Sequence, residues 1–374
     1  MSDFSTADHA FMARALHLAR KGIYTTMPNP SVGCVLVRDG KVIGEGFTSP
    51  AGGPHGEINA LRSVNGSAKG ATAYVTLEPC AHYGRTPPCA KTLVEAGVVK
   101  VVAAMTDPNP RVSGGGFKIL EDAGIETVSG LLEADARTLN QGFFKRMETG
   151  KPYVRCKMAM SVDGRTAMES GESQWITGSA ARADVQQWRA RSCAVVTGVD
   201  SIIHDDSSLT VRANELRIEN PEAAAEKQPL RVVVDSTLRI PLDAKILSLP
   251  GTTLLAGVNP DQNKLKTLAE KGIEVMVLPA NESGSVDLEA LMTELARRDC
   301  NEVLLETGAT LAGSAVEAGL VDELLIYMAP VLMGSDARPL FQLPFSKMAE
   351  KRPLAIEDIR AFGNDWRLIC KPTD

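Results

Sequence analysis

The apolar positions of this chain change period several times, and each change marks an element. Across residues 8–20 they recur at helical spacing, and Val32-Gly-Cys-Val-Leu-Val37 then reads as a strand turned by Asp39-Gly40 into Lys41-Val-Ile43. A short helical pattern (Ile58, Leu61, Val64) follows Pro54-His55, and Ala73-Tyr-Val-Thr-Leu77 alternates like a strand. Pro87-Pro88 opens another helix, Lys100-Val-Val-Ala-Ala-Met105 is a strand, and Gly114-Gly-Gly116 leads into a helix before the late strand Ile125-Glu-Thr-Val128. Helices alternating with buried strands predict a layered α/β/α domain. The pattern breaks at Met147-Glu-Thr-Gly-Lys-Pro152, where polar residues, Gly and Pro interrupt it, so the domains are expected at 1–147 and 152–374.

Beyond the break the alternation restarts. Strands are expected at 154–160, 194–197, 231–235, 252–256, 274–278, 302–306 and 323–328, with helices at 179–191, 288–297 and 310–318. This is the pattern of a mainly parallel sheet covered by helices on both faces. Residues 214–228, acidic and rich in alanine, read as a surface insertion.

The residues that carry chemistry sit in the first domain. His55-Gly56-Glu57, Glu78-Pro79-Cys80 and Cys89 supply one imidazole, two thiolates and a carboxylate. Three such ligands balance Zn²⁺ and leave a fourth tetrahedral position for water, whose pKa the metal lowers, while Glu57 is left to move protons. The spacing places His55 and Glu57 at one helix N-terminus, Cys80 just past a strand end and Cys89 in the first turn of a second helix, where backbone N–H groups favour a thiolate. A closed structural zinc site, with His82 as fourth ligand, is the competing reading, and it has no use for a carboxylate two residues after its histidine.

Composition narrows the rest. A chain of 374 residues, 44% of them apolar, accommodates two cores. No apolar run approaches the ~20 residues of a membrane span, and Met1-Ser-Asp-Phe-Ser-Thr-Ala lacks the regions of a signal peptide, so a cytoplasmic location is expected. Seven cysteines without framework spacing fit buried thiols in a reducing compartment. A net charge of −6 with no cluster of Lys and Arg weighs against nucleic acid and favours small-molecule substrates.

A second site is outlined where Glu302-Val-Leu-Leu-Glu306 runs into Thr307-Gly-Ala-Thr-Leu-Ala-Gly-Ser314 and a helix. A strand, a Gly-rich turn and a helix can receive phosphate oxygens on backbone N–H groups. No Lys-Ser/Thr follows Gly313, so this is not a Walker A loop, and the Gly spacing is not the G-x-G-x-x-G fingerprint. Tight strand-to-helix turns also use Gly for steric reasons, so the residues alone leave function and packing equally open.

The motif H-x-E…P-C-x-x-C marks zinc nucleobase deaminases, and here eight residues, 81–88, replace the two between the cysteines, a loop long enough to add substrate contacts. Thr76-Leu-Glu-Pro-Cys-Ala-His-Tyr-Gly-Arg-Thr-Pro-Pro-Cys89 and Asn29-Pro-Ser-Val-Gly-Cys34 resemble the deaminase half of the bifunctional riboflavin-biosynthesis deaminase/reductase family. Lys157-Met-Ala-Met-Ser-Val-Asp-Gly-Arg165, Gly171-Glu-Ser-Gln-Trp-Ile-Thr177, Asp205-Asp-Ser-Ser-Leu-Thr-Val-Arg212 and residues 306–313 resemble its reductase half. The resemblance implies a cytidine-deaminase-like α/β/α sandwich followed by a dihydrofolate-reductase-like α/β domain that uses NADPH.

It further implies that Ala159, Trp175, Ser201, Asp205, Ser236 and the loop Gly308, Ala309, Thr310, Leu311, Ala312, Gly313 and Ser314 line the NADPH site, and that Ser173, Arg189, Leu209, Arg212 and Glu306 hold the substrate. The two arginines suit a phosphate, Glu306 suits sugar or uracil donors, and Asp205 is a candidate proton donor. Ser207 replaces the family's proline and is expected to loosen the loop carrying Arg212. Without the resemblance, a core aromatic is the lesser alternative for Trp175, and Arg189 and Arg191 also read as ordinary solvated helix residues. The implied substrate is 2,5-diamino-6-ribosylamino-4(3H)-pyrimidinone 5′-phosphate, deaminated and then reduced from ribosyl to ribityl. A zinc nucleoside or tRNA deaminase with an unrelated C-terminal nucleotide-binding domain is the alternative. A homo-oligomer is compatible with the chain, and neither nucleic acid nor membrane is expected as a partner.

Overall fold

The apolar runs of the first 150 residues become the strands of one five-stranded sheet in a computed structural model that describes residues 4–82, 87–109 and 113–373. The chain divides into two units, Met1–Gly150 and Lys151–Asp374. The first runs α1 (Thr6–Arg20), β1 (Gly33–Arg38), β2 (Lys41–Phe47), α2 (Gly56–Arg62), β3 (Thr72–Val75), α3 (Cys89–Glu95), β4 (Lys100–Ala103), α4 (Gly115–Asp122), β5 (Glu126–Ser129), α5 (Glu133–Leu139) and α6 (Gln141–Thr149). Ser5 and Asp8 start α1 with a capping box. The strand order is β2-β1-β3-β4-β5, antiparallel around β1 and parallel from β3 to β5. A Cβ on Gly33 would meet the backbone of Ala15 in α1, and one on Gly46, paired with the next residue Cys34, would meet Ala60 in α2. Adjacent strand positions face opposite ways, so α1 and α2 cover opposite faces and the unit is a three-layer α/β/α sandwich.

Helices α5 and α6 fall where the sequence pattern gave no element. The helices are only seven and nine residues long, too short for their apolar positions to show a period. Buried Asn140 between them gives them a purpose, because its amide accepts from Ser31 N–H at 2.8 Å and donates to Ser31 O at 3.0 Å, fixing the loop ahead of β1.

The second unit runs β6 (Tyr153–Ser161), β7 (Arg165–Ala167), α7 (Ser179–Arg191), β8 (Ala194–Gly198), α8 (Val199–Asp205), α9 (Pro221–Glu226), β9 (Leu230–Val234), β10 (Thr253–Gly257), α10 (Gln262–Glu270), β11 (Glu274–Val277), α11 (Leu288–Arg297), β12 (Glu302–Glu306), α12 (Ala309–Glu317), β13 (Glu323–Ala329), β14 (Arg338–Pro339), β15 (Leu354–Phe362) and β16 (Asp365–Pro372). The large sheet has the order β11-β10-β9-β8-β12-β6-β13-β16-β15, parallel from β11 to β13 and antiparallel at the last two strands. Neighbours such as Val232 and Val233, or Leu304 and Leu305, feed two different cores, which is why these strands read as unbroken apolar runs. Each such fully buried side chain contributes about 1.5–3 kcal/mol. The β15–β16 hairpin was not legible because its register shifts between Ile356 and Asp358, breaking the period of two.

At the N-terminal ends of the central strands, buried Arg155 pairs with Glu302 and with Glu323, the latter at 2.6 Å, and Arg191 joins Glu302 at 2.8 Å. The opposite, C-terminal ends are left free for ligands, the usual place in open α/β sheets. The 214–228 segment is more than an insertion. Ala224 is buried, and the Gln228 amide accepts from Val211 N–H at 2.9 Å and donates to Val211 O at 3.0 Å, so the segment braces the loop that carries Arg212. No helix among the described residues is long and apolar enough to cross a membrane.

Candidate active sites

His55 is the N-cap of α2, its extended backbone turning the chain into the helix, and Glu57 follows in the first turn. Cys80 lies beyond the end of β3, and Cys89 opens α3 directly after Pro88. These starts and ends converge. His55 Nδ1 is 3.7 Å from Cys80 Sγ and 3.4 Å from Cys89 Sγ, and the ligand atoms of the three residues lie within 4.8 Å of one another. The Cys89 backbone N–H donates to Cys80 Sγ at 3.3 Å.

These contacts set the charges. Hydrogen bonding from Cys89 lowers the Cys80 thiol to about 4 against the cost of burial, with His55 assisting. The same bond, with burial, raises Cys89, so Cys80 is the sulfur that ionises first. Its hydrogen bond with Cys80 raises His55 to about 9, and an incoming metal therefore displaces protons as it binds. Glu57 is buried, and its Oε2 has no hydrogen-bond partner among the described residues. Burial pushes the Glu57 carboxyl up to about 7, partly offset by His55. One imidazole, two thiols and an unpartnered carboxylate oxygen fit Zn²⁺ in an open three-ligand site. His82 is exposed and does not join the group, and the part of the 81–88 loop from 83 to 86 lies outside the described residues.

Glu78 escaped the sequence reading. Its buried carboxylate accepts backbone N–H groups from Asp107 (3.0 Å), Gly114 (3.0 Å), Gly116 (2.9 Å) and Phe117 (3.3 Å). It thereby ties the loop bearing Cys80 to the start of α4. The signal was present, since a carboxylate between an apolar strand and Pro79-Cys80 must find donors once buried.

In the second unit the C-terminal ends of β6, β12, β8 and β9 open into a cleft of 1480 Å³, more than one drug-sized ligand needs. Ala159, Trp175, Ser201, Asp205, Ser236, Gly308, Ala309, Thr310, Leu311 and Ser314 line it, as do Ser173, Arg189, Leu209, Arg212 and Glu306. Ala312 and Gly313 do not. Ala312 faces the core, and Gly313 lies against the next segment, where a Cβ would be 2.0 Å from Gln342 O, so its glycine serves packing. Trp175 is 70% exposed beneath the Arg182 guanidinium, 4.5 Å from its ring centre, which removes the core-aromatic reading. Thr197, at the end of β8, lines the same cleft with a buried hydroxyl that has no partner among the described residues. A deep cleft at strand ends, an orphaned hydroxyl and the Gly308 turn at the start of α12 fit a dinucleotide such as NADPH.

The polar residues arrive already paired. Arg189 grips Glu306 with two hydrogen bonds of 2.7 and 2.6 Å and also donates to Thr210 O, so neither is a solvated surface group nor a free phosphate fork. Burial works against the charge of Glu306, yet Arg189 and Lys157 hold its carboxyl down to about 2. Lys157 Nζ, another residue missed in the sequence, lies 3.9 Å from Glu306, and burial lowers its ammonium against the pull of that carboxylate. Arg212 pairs with Glu215, partly exposed. Its loop is held firm despite Ser207, because Arg212 N–H donates to Gln186 at 3.0 Å and Gln228 brackets Val211. Asp205 accepts from Ser173 Oγ at 3.0 Å.

A zinc-type deaminase unit followed by an α/β unit with a dinucleotide-sized cleft defines an enzyme with two activities. The model of the cytidine and deoxycytidylate deaminase zinc-binding region matches residues 5–105, and that of the RibD C-terminal domain matches residues 152–368. The chain is 50% identical to the riboflavin biosynthesis protein RibD of Haemophilus influenzae over 100% of this chain and 99% of that one. It superposes on Acinetobacter baumannii RibD with a TM-score of 0.91 at 49% identity, covering 98% of this chain and 99% of that one. A deaminase/5-amino-6-(5-phosphoribosylamino)uracil reductase from Thermotoga maritima gives 0.83 at 28% identity, with coverages of 98% and 99%. The chain belongs to the RibD family of bifunctional riboflavin-biosynthesis enzymes, a deaminase using zinc and a reductase using NADPH. The match across 152–368 sets aside an unrelated C-terminal appendage.

Proposed function

We propose that the first unit deaminates 2,5-diamino-6-ribosylamino-4(3H)-pyrimidinone 5′-phosphate and that the second reduces the ribosyl group of the resulting 5-amino-6-(5-phosphoribosylamino)uracil to ribityl. The observation that carries the first step is the meeting of His55, Cys80 and Cys89 beside a buried carboxylate oxygen without a partner. Zn²⁺ held by those three residues supplies the Lewis acidity that makes water a nucleophile near neutral pH. Glu57, balanced near neutrality, accepts a proton from water at Oε2 and passes it to the ring nitrogen and then to departing ammonia. Glu78 keeps Cys80 in place through its four backbone donors.

In the second unit NADPH supplies hydride to C1′ of the sugar. The Gly308 turn at the start of α12 receives the cofactor's phosphates, flanked by Ser201 and Ser236. Ser173, Leu209 and the Arg189–Glu306 pair face the substrate, and Arg212 exchanges its partly exposed partner Glu215 for the substrate phosphate. Opening the sugar breaks the C1′–O bond and requires a proton on the ring oxygen. Lys157 is the better-placed donor than Asp205, since its Nζ lies in the cleft beside Glu306 whereas Asp205 already accepts from Ser173.

Mass spectrometry of the products tests the pair of steps. Without NADPH the diaminopyrimidine ribotide should exchange one amine for oxygen, and with NADPH it should then gain two hydrogens. Turnover of cytidine or adenosine in its place would refute the substrate assignment.

A further inference from the structure

Helix α7 turns one face to the reductase cleft. Ser179, Arg182, Ala183, Gln186 and Arg189 line the cleft at spacings of three and four residues, so they form a single stripe along the helix. Their polar neighbours are largely taken. Arg189 grips Glu306, Arg182 donates to Thr177 O at 2.6 Å and lies over Trp175, and Ser173 donates to Asp205. Gln186 differs: it is buried, and its Oε1 accepts the Arg212 backbone N–H at 3.0 Å.

That one bond fixes the orientation of the amide. A backbone N–H only donates, so the Gln186 oxygen has to face Arg212 and the amino group has to face the other way. Among the described residues no acceptor takes that amino group, although Gln186 is one of the residues lining the cleft. A buried donor left without a partner costs free energy, which an acceptor on a bound ligand recovers.

The surroundings identify the acceptor. Leu209 holds a left-handed φ of 52°, Thr210 O receives Arg189, Gln228 brackets Val211, and Arg212 N–H ends on Gln186, so every residue from 209 to 212 is pinned. Gln186 thus lies against the backbone of the residue whose guanidinium meets the partly exposed Glu215. Donors on the sugar and the uracil have Glu306 to accept them, whereas a phosphate only accepts and needs donors of its own. A hydrogen bond from the amino group also polarises the amide, so its oxygen holds Arg212 N–H more strongly when the ligand is bound.

We propose that Gln186 is a substrate-binding residue of the reductase, its amino group donating to an oxygen of the substrate's 5′-phosphate while its carbonyl oxygen holds the backbone of Arg212. The inference rests on the placement of that phosphate at Arg212 proposed above.

The test is a double-mutant cycle on the zinc-loaded full chain at saturating NADPH, read as a ratio. The ratio is kcat/KM for 5-amino-6-(5-phosphoribosylamino)uracil over kcat/KM for the same compound without its phosphate. Gln186→Met keeps the length of the side chain and removes the amide, and the ratio should fall about tenfold or more, as the loss of a hydrogen bond to a charged group implies. Gln186→Glu keeps an oxygen for Arg212 N–H and turns the donor into an acceptor, so the loop stays anchored and the ratio should fall further. Arg212→Ala should lower the ratio by itself, and adding Gln186→Met to it should lower the ratio again, because the contact is direct. A double variant that stays at the Arg212→Ala value, or a Gln186→Glu variant that stays at the wild-type value, overturns the inference, since Gln186 then acts only by placing Arg212. An equal loss on both substrates in Gln186→Met also overturns it, because a structural defect does not distinguish the phosphate. If Arg212→Ala leaves the wild-type ratio, the phosphate is not held at Arg212, and the substrate placement fails together with the inference.

Discussion

The two sites are built in contrasting ways. The candidate metal centre gathers three possible ligand atoms within 4.8 Å from residues at the starts of α2 and α3 and the loop after β3. The reductase cleft gathers its lining from many strand ends and loops across 1480 Å³, and its charged residues already satisfy one another. In the first, chemistry is concentrated in a few groups whose removal should be all-or-none. In the second, it is shared among pairs, so single losses should be graded and should mix binding with stability.

The sharpest way to break that contrast is at the metal. Cys89→Ser should lower zinc content and take ammonia release below detection, while NADPH oxidation on the aminouracil substrate persists; joint loss of both activities would show that the sites are not separate. Glu57→Gln should cut deamination by about 10²–10⁴-fold with zinc retained, since a proton carrier is removed and no ligand is lost. Zinc loss in that variant, measured by metal analysis, would recast Glu57 as structural.

In the cleft the expected effects are smaller and compound. Glu306→Ala leaves the Arg189 guanidinium buried without its partner, so thermal unfolding should show a loss of about 3–5 kcal/mol in the second unit along with reduced reductase activity. Arg212→Ala should raise the reductase KM about tenfold, the value of one charge-assisted contact, and spare deamination. The smallest effect concerns pH. Because the folded Glu306 carboxyl is held near 2, below its usual 4.5, its contribution to stability is complete above about 4.5 and disappears as pH falls toward 2. The second unit should therefore show no stability change attributable to Glu306 between pH 5 and 8, a range that urea unfolding can scan.

Legibility in the sequence follows the same contrast. His55, Glu57, Cys80 and Cys89 are chemically unusual residues at tight spacing, and their elements begin with signals that can be read, Pro54 before one helix and Pro87-Pro88 before the other. The strand at Glu302–Glu306 was also plain, being a short apolar run bounded by acids. Lys157 and Thr197 were not legible as site residues, because what singles them out is burial and the partners they gain or lack after folding, whereas Glu78 was marked by its place between an apolar strand and Pro79-Cys80. Ala312 and Gly313 show the reverse case: a Gly-rich string resembles a phosphate loop along its whole length, although only its first residues and Ser314 face the cleft. Helices α5 and α6 and the β15–β16 hairpin stayed hidden, the helices because they are only seven and nine residues long and the hairpin because a bulge shifts its period.

The most direct test of two separate sites acting in order follows ammonia and NADPH together, with the diaminopyrimidine ribotide as sole substrate and Glu57→Gln alongside wild type. Ammonia should appear before NADPH is consumed in wild type, and in the variant both should be slowed by about 10²–10⁴-fold, with NADPH oxidation at the wild-type rate once the aminouracil product is supplied. NADPH consumption by the variant on the diaminopyrimidine substrate at the wild-type rate would contradict the account, because the reductase would then not depend on the first site's product.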